Sequence, residues 1–224
     1  MTNAQRIGLV IKRAIDLTIA GAALVLLSPL IAVLAVVVAV TQGRPVLYTS
    51  TRVGRNNKPF KLYKFRSMTN KCDAQGRPLP DAERITPTGR FIRGTSLDEL
   101  PQLWNIFKGD MSIVGPRPLP PTYLDRYSAV EARRHRVRPG LTGLAQVNGR
   151  NSLSWQQKFA YDLDYVDRFS LAVDARVALS TVAVVFGGKG VSSPTQQVGM
   201  DEFLGTPAPR AAGLRNAAAV EPAA

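Results

Sequence analysis

The strongest constraint in this chain is a 24-residue stretch, Leu17 to Val40, that carries no charged side chain. As one straight α-helix at about 1.5 Å per residue it would reach about 36 Å, enough to cross a bilayer core of about 30 Å. Ser28-Pro29 stands at its midpoint. A proline inside a helix removes an amide donor and clashes with the preceding turn, at a cost of about 3 kcal/mol. The break leaves two 11-residue arms, Leu17 to Leu27 and Leu30 to Val40, and neither spans alone.

Three arrangements fit such a run: a kinked transmembrane helix, a re-entrant helix-break-helix hairpin with both ends on one face, and a secretory signal peptide. Arg6, Lys12 and Arg13 precede it, and Arg44, Arg52, Arg55 and Lys58 follow it. Cationic flanks on both sides place both ends at the cytoplasmic face and favour the hairpin, broken at Ser28 and Pro29. The run exceeds the usual apolar core of a signal peptide, and a strongly basic segment follows it.

Charge points the same way. Lys and Arg number 29 against 16 Asp and Glu, a net charge of +13, so the partners are expected to be anionic. The single Cys72 excludes a disulfide framework and a Cys-based zinc site, and the single histidine excludes His-cluster metal chemistry. From Arg44 to Arg66 there are seven Lys and Arg and no acid, interleaved with Tyr48, Phe60, Tyr63 and Phe65. This pattern, with Asn56-Asn57 between its halves, predicts a small basic β-hairpin suited to anionic lipid.

Residues 69–88 lack periodicity and are expected to form a loop. Ser154 opens a helix on which Trp155, Phe159 and Val166 share a face, and Ser170 caps a second helix, Leu171 to Phe186, stopped by Gly187-Gly188. These helices are expected to be packed or interfacial. The run Arg133 to Arg138 is expected on a solvated or lipid-facing surface, and Asp110, Asp162, Asp164 and Asp167 in turns or on solvent-facing helix sides.

The densest chemistry lies between Arg93 and Pro118. Ser96 with Glu99 three residues later forms a capping-box pattern before a helix running to Lys108 and stopped by Gly109. Pro101 disturbs that reading, because it falls where an ordinary helix would make a backbone bond. A distorted turn presenting Asp98 and Glu99 side by side is equally consistent. Arg90, Arg93, Lys108 and Arg117 lie nearby, and cations around a carboxylate can hold a diphosphate while the carboxylate acts on phosphorus. Gly115-Pro116-Arg117-Pro118 and the run from Pro139 through Gln146 to Arg150 are turn-rich; neither matches a P-loop or dinucleotide fingerprint.

Together KRAIDLTIAGAALVLLSPL, YKFRSM at Tyr63 to Met68, SLDELPQLWNIFKGDMSIVGPRP and RPGLTGLAQVNGRN resemble the bacterial sugar transferase family, the monotopic polyprenol-phosphate phosphoglycosyl transferases. The resemblance runs from about Lys12 to Leu204. With no further apolar segment ahead of it, the chain is similar to the small, minimal type. Gly190-Val-Ser-Ser and Asp201 to Gly205 resemble the subgroup that handles diacetylbacillosamine and related acetamido sugars, although Gln196 to Gly199 departs from its usual wording.

The resemblance implies a fold and a reaction. The fold class is α-rich mixed α/β: residues 1–43 a re-entrant membrane hairpin with basic flanks, 44–204 a compact cytoplasmic transferase domain with a β-hairpin and interfacial amphipathic helices, and 205–224 a flexible tail. Asp98 is implied as the nucleophile of the Asp98-Glu99 dyad, attacking a UDP-sugar to release UMP before undecaprenyl phosphate takes the phosphosugar. Lys64, Arg93, Arg117 and Arg150 fall on basic positions implied in phosphate binding, and Mg²⁺ is implied as cofactor, held through Asp98. The implied location is the cytoplasmic face of a bacterial inner membrane, among anionic lipids and downstream glycosyltransferases. A membrane-anchored basic module without catalysis would explain the charge but not Asp98-Glu99 amid arginines. Nucleic acid is not an expected partner, because the aromatics follow no stacking pattern.

Overall fold

The computed structural model describes residues 3–186 and 203–206. Helices α1 (Asn3–Leu26) and α2 (Ser28–Gln42) meet at Leu27 with a bend of 63°. Pro29 stands in the first turn of α2, where a missing N–H costs least. In a continuous helix that N–H would have bonded the Val25 carbonyl. The Ser28 hydroxyl donates to Val25 O instead, at 2.8 Å. Leu27 N–Ala23 O and Ile31 N–Leu27 O, each 2.8 Å, carry the ladder across the bend. Ser28 and Pro29 therefore work as a pair, one removing a donor and the other replacing it. No single described helix is long and apolar enough to cross a membrane; α1 and α2 reach that length and composition only together.

The bent pair has two unlike faces. On α1, Lys12, Asp16 and Ala20 recur at helical spacing and are buried, as are Leu34, Val38 and Gln42 on α2. The opposite face leaves Val25, Leu26, Val33, Val36 and Val40 largely exposed.

Strands β1 (Leu47–Val53) and β2 (Pro59–Phe65) form the expected antiparallel hairpin, pairing Leu47 with Phe65 and Val53 with Pro59. Asn56 and Asn57 at its tip take positive φ, a conformation asparagine tolerates better than most residues. The expected loop at 69–88 contains a short helix, α3 (Asp81–Arg84), and the bridges Met68–Ile85 and Cys72–Pro78, before α4 (Pro87–Gly94) begins. Thr86 caps α4, accepting from Gly89 N at 2.9 Å.

Helix α5 (Gln102–Lys108) ends at Gly109 in the left-handed conformation, as Lys108-Gly109 predicts. It crosses α1 beneath β2. Buried Asn105 joins the two, accepting from Tyr63 N at 3.1 Å and donating to Lys61 O at 2.7 Å. Strands β3 (Ser112–Val114) and β4 (Gly140–Thr142) run parallel, a second sheet the sequence does not announce. They bring the two turn-rich runs together so closely that a Cβ at Gly140 would lie 2.1 Å from Gly115 N. After α6 (Leu144–Val147), helices α7 (Trp155–Asp167) and α8 (Leu171–Phe186) close the fold. Ser154 and Gln157 form a capping box at the start of α7. The expected stop at Gly187-Gly188 and nearly all of the expected tail lie outside the described residues.

Arrangement of the core explains how α1 is held. Tyr165, Val166, Phe169 and Val177 pack with Val114 and Val137. Above them runs a buried polar network: Lys12 Nζ lies 2.7 Å from Asp174 Oδ2 and 3.7 Å from Asp16 Oδ1, and Asp16 accepts from Ser112 Oγ (2.7 Å) and Ile113 N (3.1 Å). Tyr165 donates to Asp174 at 2.8 Å. Arg13, next along α1, donates to Ile106 O (2.6 Å) and Phe107 O (2.9 Å) at the C-terminal end of α5.

Lys12→Met is expected to lower stability by about 3–5 kcal/mol, because it strands two buried carboxylates, and thermal unfolding should show it as a reduced midpoint. Lys12→Met with Asp174→Leu should recover much of that loss; an equal or larger loss would contradict the pairing.

Candidate functional site

Asp98 and Glu99 occupy a 3-10 turn, Leu97–Glu99, entered through Ser96 in the left-handed conformation (φ 60°, ψ 16°). The capping box expected of Ser96 and Glu99 does not form: the Ser96 side chain makes no cap bond, and Pro101 instead starts the separate helix α5. Glu99 is engaged elsewhere. Its Oε1 lies 2.6 Å from Lys64 Nζ and 3.5 Å from Arg117 Nη2. Two charge-assisted contacts outweigh one bond to a backbone N–H, so the distorted-turn alternative prevails. A left-handed serine costs roughly 1–2 kcal/mol, a strain that turns both carboxylates the same way.

Each predicted residue arrives from a different element. Lys64 comes from β2 opposite Tyr48, Arg93 from the last turn of α4, Arg117 from the turn after β3, and Arg150 from a 3-10 turn before α7. With Asp98 and Glu99 they line one cavity of about 600 Å³. Neither Arg93 nor Arg150 makes an ion pair with a described residue. Ala23, Leu27, Ile113, Leu141 and Val182 supply apolar walls, and through Leu27 the bend between α1 and α2 borders the cavity.

The adjacent carboxyls differ in character. Burial pushes Asp98 above its ordinary value and the neighbouring Glu99 charge adds to this, while Lys64, Arg93 and Arg117 pull down without cancelling it. Burial would raise Glu99 as well, but Arg117 and Lys64 overcome it and hold the group at about 2. Asp98 accepts no hydrogen bond from a described residue, and its ion pair is a 3.7 Å contact to Lys64. It is the uncommitted member of the pair.

Among the described residues no group of three or more His, Cys, Asp or Glu could form a metal cage. Mg²⁺ needs none, since it keeps water and binds through one or two carboxylates together with substrate phosphates. The open carboxylate of Asp98 beside cavity cations fits an ion of that kind and does not fit an all-protein site.

Two expectations are corrected. The run Arg133 to Arg138 is not a uniform surface, because Arg134 and His135 are 3% and 6% exposed. Burial and the neighbouring Arg134 lower His135 to about 4, so it stands neutral at pH 7. Asp162 does not face solvent either; it is 4% exposed and paired with Arg134 at 2.7 Å. An acid and an arginine 28 positions apart carry no periodic signal, and only folding matches them.

Sequence reasoning also missed Gln146, Asn151 and Lys158 as cavity residues. Gln146 stood within the polar run noted in sequence, and both its amide atoms are buried without a hydrogen-bond partner among the described residues. Lys158 lies 4.7 Å over the Trp155 ring. Phe203 seals the far side of that wall, its ring 5.0 Å from Phe159 and 5.5 Å from Trp155.

A family model described as bacterial sugar transferase matches residues 7–188. The uncharacterized sugar transferase EpsL of Bacillus subtilis is 46% identical over 198 residues, covering 88% of this chain and 98% of that protein. A UDP-glucose:undecaprenyl-phosphate glucose-1-phosphate transferase of Caulobacter vibrioides is 39% identical, covering 76% of this chain and 68% of the relative. A UDP-N-acetylgalactosamine-undecaprenyl-phosphate N-acetylgalactosaminephosphotransferase of Aeromonas hydrophila is 37% identical, covering 80% of this chain and 44% of the relative.

The carboxyls should titrate apart. Carbon-detected NMR is expected to place Glu99 near 2 and Asp98 above an aspartate's usual value of about 3.9. Lys64→Met should raise Asp98 further, since it removes a cation that favours the anion. Asp98 at or below the usual value would overturn this account.

Proposed function

This chain belongs to the bacterial sugar transferase family, and from that premise we propose that it moves a sugar-1-phosphate from a UDP-sugar to undecaprenyl phosphate. An Asp98 carboxylate oxygen attacks the sugar-bearing phosphorus. The bond from that phosphorus to the oxygen bridging the two phosphates breaks, and UMP leaves with the electron pair. The aspartyl phosphosugar is then attacked by a phosphate oxygen of undecaprenyl phosphate, which frees the carboxylate and yields a lipid diphosphate-linked sugar. Dividing the transfer in two lets a soluble donor and a lipid acceptor use one site in turn.

One observation carries this reading: Asp98 accepts no hydrogen bond from a described residue, in a cavity that Lys64, Arg93, Arg117 and Arg150 also line. Its raised proton affinity makes it the better nucleophile of the two. Glu99 stays ionised and holds Lys64 and Arg117 at the place where diphosphate charge must be met. Arg93 and Arg150, unpaired with described residues, supply further charge. Mg²⁺, bound through Asp98 and the substrate phosphates, would screen charge between carboxylate and diphosphate.

The acceptor keeps its phosphate at headgroup level, so the site must lie at a membrane surface. The exposed apolar face of α1 and α2 supports insertion of the hairpin into the cytoplasmic leaflet of a bacterial inner membrane, and the +13 charge suits anionic lipid there. Such a product begins a glycan, exopolysaccharide or capsule, that downstream glycosyltransferases extend. Relatives named for glucose and for N-acetylgalactosamine leave both a hexose and an acetamido sugar in the field. The looser likeness of the Asp201 to Gly205 segment favours the acetamido sugar.

Purified protein given Mg²⁺, undecaprenyl phosphate and a panel of UDP-sugars should release UMP from at least one. Asp98→Asn should slow release by about 10³-fold or more, and intact mass of the wild type without acceptor should show a phosphosugar adduct. Equal rates in both proteins would remove Asp98 as nucleophile. Where the hairpin is concerned, a reporter inserted after Thr41 should stay inside the cell, and its appearance outside would refute the same-side geometry.

A further inference from the structure

Arg117 is the one cavity cation set between two prolines, and its side chain is 45% exposed. Its contact to Glu99 is long, 3.5 Å, so its direction depends on how the backbone of the Gly115 to Pro118 turn is fixed. One side of the turn is bonded to β4, through Gly115 N to Thr142 O (2.9 Å) and Gly140 N to Pro116 O (3.0 Å). The carbonyl of residue 117 is fixed from the other side, by Arg134 Nη2 at 2.7 Å.

Arg134 is tightly constrained in turn. Its side chain is 2% exposed. Nε and Nη2 both donate to Asp162 Oδ2, at 2.9 and 2.7 Å, and Nη1 reaches the Tyr127 hydroxyl at 3.4 Å. The guanidinium also lies within 6 Å of the Tyr127 and Phe159 ring centres, at 5.8 and 5.7 Å. A buried ion pair is weak evidence for stability alone, because a well-packed apolar pair of similar volume often serves as well. An apolar pair here would leave the Arg117 carbonyl without its donor.

We propose that Arg134, oriented by Asp162, is a positioning residue that aims Arg117 at the substrate diphosphate. This rests on the reading of Arg117 as a phosphate-binding residue. The rigid helix α7 carries Asp162, so the strut ties the most exposed part of the phosphate site to a fixed element. The planar fork matters: a lysine at 134 could keep the charge opposite Asp162 but could not hold Asp162 and the Arg117 carbonyl together with the same geometry.

A double-mutant cycle on UMP release tests this. Arg134→Lys is expected to lower kcat/KM for the UDP-sugar by about 10- to 100-fold, the scale that a displacement of about 1 Å costs. Combined with Arg117→Ala it should add less than about twofold to the loss of Arg117→Ala alone, since a strut has nothing to aim once its target is gone. Thermal unfolding of each protein checks that the fold persists. Asp162→Asn, which removes the orienting charge, should reproduce the pattern and stands in should Arg134→Lys not fold. Additive losses in the cycle would overturn the strut while leaving Arg117 in the phosphate site. A wild-type rate for Arg117→Ala would overturn the phosphate reading itself, and the strut with it.

Discussion

The buried contact between Lys12 and the carboxylates of Asp16 and Asp174 is the interaction on which the rest of the molecule depends. It is made by charges, yet it lies at the junction of α1, β3 and α8, where an uncompensated charge would cost several kcal/mol. Asp16 also accepts from Ser112 and Ile113, so the strand leading to Arg117 is held to the same helix whose far end makes the bend. One helix therefore belongs to two environments. One face is locked to the folded domain by polar groups at Lys12 and Asp16 and by Ala20, and the other presents apolar side chains outward from Ile7 to Leu26.

That arrangement explains why the bend and the cavity are neighbours. Leu27, at the bend, is a cavity wall, and Asp98 and Arg117 are reached from it across α5 and β3. The bend and the cavity are thus parts of one packed unit, since Leu27 belongs to both. The neighbouring acids divide the remaining work. Glu99 is bound to its cations and keeps them in place, while Asp98 is left uncommitted.

Much was legible in sequence because the signals were local. Ser28-Pro29 in an apolar run, Lys108-Gly109 after a helix and Ser154 before one each act through a backbone hydrogen bond a few residues away, and Asn56-Asn57 between alternating strands acts through its own positive φ. The pattern around Ser96 was local too, but it left a capping box and a distorted turn both open, and the turn forms because Glu99 finds stronger partners in Lys64 and Arg117 than the backbone.

Sequence alone determined the apolar run and its break, the basic hairpin, the adjacency of two acids and the company of arginines, since each depends on residue type and short spacing. Tertiary structure alone decided which charges are buried and whom they meet. Arg134 and Asp162, Lys12 and Asp174, and the convergence of Lys64, Arg93, Arg117 and Arg150 on one cavity join elements far apart in the chain. Such pairings leave no period in the sequence, because a charge becomes committed only when packing removes water from it and leaves a single partner within reach.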